Sequence, residues 1–173
     1  MRRFLFVWGA IALVLSFAYY LLTGTPTPHE VPATINKESS MPFTISSPAF
    51  TQNSSIPPLY TCDGKNISPQ LDFSGIPHGT ASLALVMDDP DAPRGTWDHW
   101  VVWNIPPTVA HIGEGETPSG VLGRGTGGEQ GYVGPCPPGR GHRDIFTLYA
   151  LDSLLSLPHG STKEGLLTVL SSH

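Results

Sequence analysis

The sequence predicts a mainly β domain, a sandwich, closed by one small C-terminal helix and preceded by one N-terminal transmembrane helix. Three observations carry this expectation. Nineteen glycines and eighteen prolines in 173 residues, against 13% charged residues, exclude a long helical bundle, because both residues break helix interiors. Apolar runs of strand length recur between turn-rich segments, which excludes general disorder. The longest apolar run, Phe4 to Leu22, stands apart at the N-terminus.

That run carries no charge and follows Met1-Arg2-Arg3. As a helix it would span roughly 28 Å, enough for a bilayer core. Arginines before it and no basic cluster after it place the rest of the chain on the non-cytoplasmic side, with Tyr19 and Tyr20 at the outer interface. A cleaved signal peptide is the rival reading. It is disfavoured because Tyr-Tyr-Leu-Leu stands where a small-x-small cleavage site would be expected. Thr23 to Met41 is rich in Pro, Thr and Ser without periodicity and reads as an extended tether. The expected organisation is therefore an anchor at 1–22, a tether at 23–41 and one domain at 42–173.

Within the domain, Pro42 to Ser46 opens as a strand, and a long irregular stretch follows through Pro57-Pro58 and Asp63-Gly64. Ser82 to Met87 is an apolar run of strand length, ended by the turn-rich Asp88 to Gly95. His99 to Ile105 and Ile145 to Leu151 are β-branched and aromatic, again of strand length. Between these two lies a loop with eleven glycines in residues 113–141. Ser161 to Glu164 reads as a capping box, with Leu166, Leu167, Val169 and Leu170 on one face of the helix that follows.

Chemistry concentrates in three segments. Asp89-Pro90-Asp91-Ala92-Pro93 is a stiff turn, since each proline fixes its own φ and restricts its predecessor, and it can aim two carboxylates at one point. Strand alternation then puts His99, Val101 and Trp103 on one face and Trp100, Val102 and Asn104 on the other. An ordinary β-turn beside a strand-end histidine explains the same residues equally well. Gly131 to Asp144 joins a Gly/Pro-rich loop around Cys136 to His142-Arg143-Asp144, with His142 and Asp144 sharing a face. Such loops bring backbone N–H groups close to anions; the plain alternative is a connection whose glycines merely turn. Tyr60 to Pro69 combines a turn with Cys62, and Asn66-Ile67-Ser68 fits a glycosylation acceptor, a weak match.

Several functions are excluded or disfavoured. The net charge is −5, and removing Arg2 and Arg3 leaves −7 on the remainder, so no basic footprint for a nucleic acid exists. Asp89, Asp91, His99 and His142 could offer metal ligands, but there is no HxH, no His pair at i, i+4 and no CxxC, and no metal or cofactor is expected. No GxSxG elbow is present, and Cys136 sits among prolines with no evident base.

Four segments together resemble the phosphatidylethanolamine-binding protein family, in particular its bacterial and archaeal Raf-kinase-inhibitor-like branch: YTCDGKNISPQLDFSGIP (60–77), ASLALVMDDPDAP (81–93), WDHWVVWNIPP (97–107) and GYVGPCPPGRGHRDIFTLYALD (131–152). Their order and spacing fit, and they cover the domain from about Phe43 onward. The resemblance implies a Greek-key β-sandwich with a shallow pocket at one edge for anions such as phosphate or phospholipid head groups. It places Asp89, Asp91, His99 and His142 at that pocket, with Gly134 and Pro135 lining it. Family members are described as binding or inhibitory proteins acting on kinases, proteases or lipids, not as enzymes. Two departures stand out. Asp144 occupies a position where the family usually has tyrosine, which adds negative charge to an anion site and could also hold His142 protonated. The chain also stops at His173, where relatives usually continue past the helix, which reads either as a truncated product or as a pocket left more open.

Cys62 and Cys136, the sole cysteines, both fall in or beside pocket-lining loops of the family pattern, and a disulfide between them is expected in an oxidising compartment. The expected function is a membrane-tethered extracytoplasmic binding protein for a small anionic or phospholipid-like ligand. The alternative is an inhibitor that binds a protease or kinase-like protein partner; a hydrolase built on the Asp/His cluster ranks third. Anion binding is expected to depend on His99 and His142 and to weaken as pH rises through the histidine range.

Overall fold

The computed structural model describes residues 41–137 and 141–171 of the chain. The expected anchor at 1–22 and nearly all of the expected tether lie outside the described residues. Among the described residues no helix is long and apolar enough to cross a membrane.

Seven strands and one helix follow in order: β1 (Thr44–Ser46), β2 (Leu71–Ser74), β3 (Ser82–Asp89), β4 (Trp97–Ile105), β5 (His111–Ile112), β6 (Val121–Leu122), β7 (Ile145–Leu151) and α1 (Lys163–Leu170). They form a three-stranded sheet in the order β1-β2-β5 and a four-stranded sheet in the order β6-β4-β3-β7. All pairings are antiparallel. β2, β5 and β6 were not evident from the sequence, being short and interrupted by polar or turn-forming residues.

β3 and β4 sit at the centre of the larger sheet and are covered on both faces, which explains why their sequences read as continuous apolar runs. Between the sheets, Leu83, Leu85 and Met87 pack with Trp100, Val102 and Ile105 of β4 and with Leu71, Phe73 and Ile112 of the smaller sheet. On the opposite face, Ala84, Val86, Val101 and Trp103 pack with Leu155 and with Leu166 of α1.

The strict alternation expected along β4 fails twice. The ladder runs Leu83↔Ile105, Leu85↔Val102, Met87↔Trp100 and Asp88↔Asp98, so β4 carries one extra residue near Asn104 and another at His99. At the first bulge Asn104 adopts φ 56°, and Ile105 returns to the inter-sheet core beside Val102. The Asn104 carboxamide then brackets Leu155: Oδ1 accepts from the Leu155 N–H at 2.8 Å and Nδ2 donates to its carbonyl at 3.0 Å. At the second bulge His99 leaves the face of Val101 and Trp103, and its ring lies against Asp144. Asp88 and Asp98 meet Lys163 of α1 instead, at 2.7 Å each.

The helix also begins one residue later than the capping-box reading. Thr162 is the N-cap, accepting from the Gly165 N–H at 3.3 Å. Ser161 is already committed to the preceding turn, its hydroxyl donating to the Pro158 carbonyl at 2.7 Å. Leu166 is fully buried, with Val169 and Leu170 partly buried beside it, whereas Leu167 is 37% exposed and does not share their face.

A disulfide joins Cys62 to Cys136, and the segments around it are fastened by further bonds. The Tyr132 hydroxyl donates to the Tyr60 carbonyl at 2.6 Å, the Gly134 N–H donates to Asn66 Oδ1 at 2.7 Å, and the Cys62 N–H donates to the Pro135 carbonyl at 3.1 Å. Glycine is required at 134, because a Cβ there would collide with the Tyr60 carbonyl. The Asn66 carboxamide thus serves as a fastener for this loop.

Two stability outcomes are expected. Asn104→Ala should destabilise the domain by about 2 kcal/mol, since it strips two hydrogen bonds from Leu155 and places alanine at a positive φ; denaturant titration measures this, and a loss under about 0.5 kcal/mol would contradict the bracket. Reducing the disulfide, whose cysteines are 74 residues apart, should cost about 4 kcal/mol in the chain-entropy model. Thermal unfolding with and without a dithiol checks it, an unchanged midpoint being the contrary result.

Candidate functional site

A cleft opens between the edges of the two sheets and has a volume of about 1010 Å³. One wall is β1 and the irregular segment after it, with Ile45, Phe50 and Ile56 among small polar residues at 51–55. The other wall carries Pro135, His142, Arg143, Asp144 and Phe146. The Phe50 and Phe146 rings lie 6.3 Å apart. The segment at 45–56 was missed in the sequence because it has neither periodicity nor a chemistry-bearing motif.

The Asp-Pro-Asp turn and the His-Arg-Asp segment clamp each other. His142 Nδ1 lies 2.6 Å from Asp89 Oδ2, which leaves Nε2 for a ligand. Asp89 Oδ1 accepts from the Asp91 N–H at 2.8 Å, the local Asx turn that stiffens the loop. Asp91 in turn accepts three bonds from Arg143: the backbone N–H at 3.0 Å, Nε at 2.8 Å and Nη2 at 2.7 Å. These bonds hold the exposed Asp91 carboxyl well below the usual carboxylate range, the Arg143 side chain contributing most. Arg143 is therefore a structural clamp that sequence reasoning passed over; its charge opposite Asp91 was the available signal.

His99 is buried at 4% exposure. Its Nδ1 donates to the Val133 carbonyl at 2.8 Å, since a carbonyl oxygen only accepts. The Val133 N–H returns a bond to the His99 carbonyl at 3.1 Å. Val133 could not be anticipated, because it acts through its backbone. His99 Nε2 faces Asp144 Oδ1 at 3.3 Å, and that oxygen is buried and makes no hydrogen bond. Burial pulls the His99 pKa down. Burial, followed by the charge of Asp89, pushes Asp144 up to about 7.

The sequence-derived site residues thus divide into two groups. Pro135, His142 and Asp144 line the cleft. Asp89, Asp91 and His99 stand behind them as supports, and Gly134 packs beneath against Tyr60. One expectation is corrected: Asp144 faces His99, and the carboxylate bonded to His142 is Asp89, because the bulge at His99 turns that ring toward the start of β7. His99 Nδ1 is taken by the Val133 carbonyl, and its Nε2 faces Asp144.

The domain is thus a two-sheet β fold with a cleft at the sheet edges, lined by histidine, proline and a fastened loop. The chain belongs to the phosphatidylethanolamine-binding protein family, whose model matches residues 46–173. It is 48% identical over 131 residues to a UPF0098 protein of Methanothermobacter thermautotrophicus, covering 72% of this chain and 87% of that one. It is 45% identical over 140 residues to a Mycobacterium tuberculosis protein named as a lipoprotein, LppC, covering 79% of this chain and 69% of that one. Among solved structures, a phosphatidylethanolamine-binding protein homolog from Chlamydia trachomatis superposes with a TM-score of 0.73 at 43% identity, covering 76% of this chain and 89% of that one. E. coli YbcL superposes with a TM-score of 0.68 at 32% identity, covering 75% and 89% respectively.

The raised Asp144 pKa has a consequence for stability. The unfolded chain releases this proton near the ordinary aspartate value of about 3.9, while the folded chain keeps it to about 7. The stabilising protonated form is fully present below the lower value and is lost as pH rises through the upper one. Stability should therefore fall by roughly 1 kcal/mol per pH unit across that window, and Asp144→Asn should flatten the fall. The Asp91 contribution lies in the window below about pH 4, where its carboxylate protonates, and does not overlap. Urea denaturation at several pH values tests this; identical slopes in the two proteins would contradict it.

Proposed function

We propose that the chain is a membrane-tethered, extracytoplasmic binding protein whose cleft receives a small anionic or phospholipid-like head group without chemical turnover. The observation that carries this reading is His142, fixed at Nδ1 by Asp89 and presenting Nε2 to a cleft walled by proline and aromatic rings. With Nδ1–H held by Asp89, the protonated ring carries a second hydrogen on Nε2 and donates it to an oxyanion, and Ile45, Phe50, Ile56 and Phe146 suit an apolar tail beside the head group. Both cysteines are consumed in the disulfide, which removes the thiol as a nucleophile and suits an oxidising compartment. The lipoprotein name of the mycobacterial relatives supports attachment to a membrane, as does the uncharged run at 4–22.

Calorimetric titration of the full chain in detergent with inorganic phosphate tests the reading at about pH 6. Saturable binding is expected, with His142→Ala weakening it by about tenfold, the effect of losing one charge-assisted hydrogen bond. Equal affinity in the variant would remove the cleft from the function. Turnover of a phosphoester by the wild type, abolished in His142→Ala, would favour a hydrolase instead.

A further inference from the structure

The Asp144–His99 contact poses a problem of proton count. His99 Nδ1 must carry a hydrogen to reach the Val133 carbonyl, so in the neutral ring Nε2 is a bare acceptor. It faces Asp144 Oδ1 at 3.3 Å. With Asp144 ionised, two lone pairs confront each other inside the wall of the cleft, and Oδ1 is left buried without a partner. The Asp144 side chain is only 10% exposed, so water does little to relieve this. One proton between the two groups removes the conflict, whichever of them carries it, and makes the pair electrically neutral.

The surrounding charges favour that proton. Asp88 and Asp89 reach Asp144 from β3, and Asp91 reaches it from the turn that follows, all three disfavouring its ionised form. His142, on its own segment, opposes them. The cations nearby are largely committed: Arg143 to Asp91, and Lys163 to Asp88 and Asp98. Tyr132, from the preceding loop, is held neutral chiefly by its own burial and then by the Asp144 charge. Asp63 adds a further carboxylate to the cleft lining.

We infer that Asp144 and His99 together hold one proton that gates the cleft: with it the pair is neutral and admits an anion, and without it a buried carboxylate confronts the ligand. This inference rests on the anion-binding reading and adds its regulation. Burial of Asp144 places the transition near neutrality, at about 7. The directions for the two partners agree, since burial disfavours charge on both and leaves the proton on the carboxyl.

The probe is sulfate, whose own charge is constant across the neutral range. The full chain and Asp144→Asn are titrated by calorimetry from about pH 6 to about pH 8. The wild type is expected to lose about tenfold in affinity over that interval, from protonation linkage at the Asp144 value. Asp144→Asn, whatever its absolute affinity, should lose markedly less. Equal pH slopes would overturn the gate while leaving the binding reading intact, and absence of sulfate binding to the wild type at any of these pH values would overturn both. Should the variant fail to fold, the Asp144 carboxyl carbon of the wild type, followed by NMR, decides: a midpoint near neutrality supports the gate, and one in the ordinary aspartate range overturns it.

Discussion

Where β4 carries one residue more than β3, opposite Met87 and Asp88, the side-chain alternation of a strand is reset. Without that extra residue, His99 would follow Val101 and Trp103 toward the helix. With it, Asp88 and Asp98 face Lys163 on the helix side, while Asp89 and His99 face the segment entering β7, behind the cleft wall. A bulge costs one ladder position and gives in exchange a local re-aiming of side chains. The separation of the charge cluster at the helix from the charge cluster behind the cleft follows from this one irregularity.

Five aspartates crowd this edge of the sheet, and four are paired. Asp88 and Asp98 share Lys163, Asp91 is taken by Arg143, and Asp89 is taken by His142. Carboxylates packed this closely would otherwise repel by several kcal/mol at low local dielectric. Asp144 is the exception. It faces a histidine whose burial opposes protonation, and burial pushes its own carboxyl up to about 7. The cleft therefore presents the His142 ring, the carboxyls of Asp63 and Asp144, and little uncommitted positive charge.

The loop bearing Pro135 is held at one end by the disulfide and by bonds to Tyr60, Cys62 and Asn66. The segment bearing His142 is held at the other end by Asp89 and Asp91. Fastening both margins lowers the ordering cost that a ligand would otherwise meet on binding. The opposite wall at 45–56 is fixed more loosely by the smaller sheet, with Ser47 donating to the Gln70 carbonyl at 2.6 Å.

The sequence by itself determined the mainly β class, the central strands, the terminal helix and three residues of one cleft wall, Pro135, His142 and Asp144. These follow from local properties: apolar runs of strand length, proline and glycine at turns, and four segments in family register. It could not determine partners. His142 was assigned Asp144 by alternation, yet it bonds to Asp89, because a two-residue period cannot register an inserted residue. The helix start slipped by one residue because the competing bond from Ser161 to Pro158 belongs to the preceding turn. The short strands β2, β5 and β6, and the cleft wall at 45–56, arise from pairing across the chain and carry little local pattern of their own. Which histidine stands behind the wall and which one lines the cleft was decided by tertiary structure, since burial and the direction of a ring nitrogen depend on residues far apart in sequence.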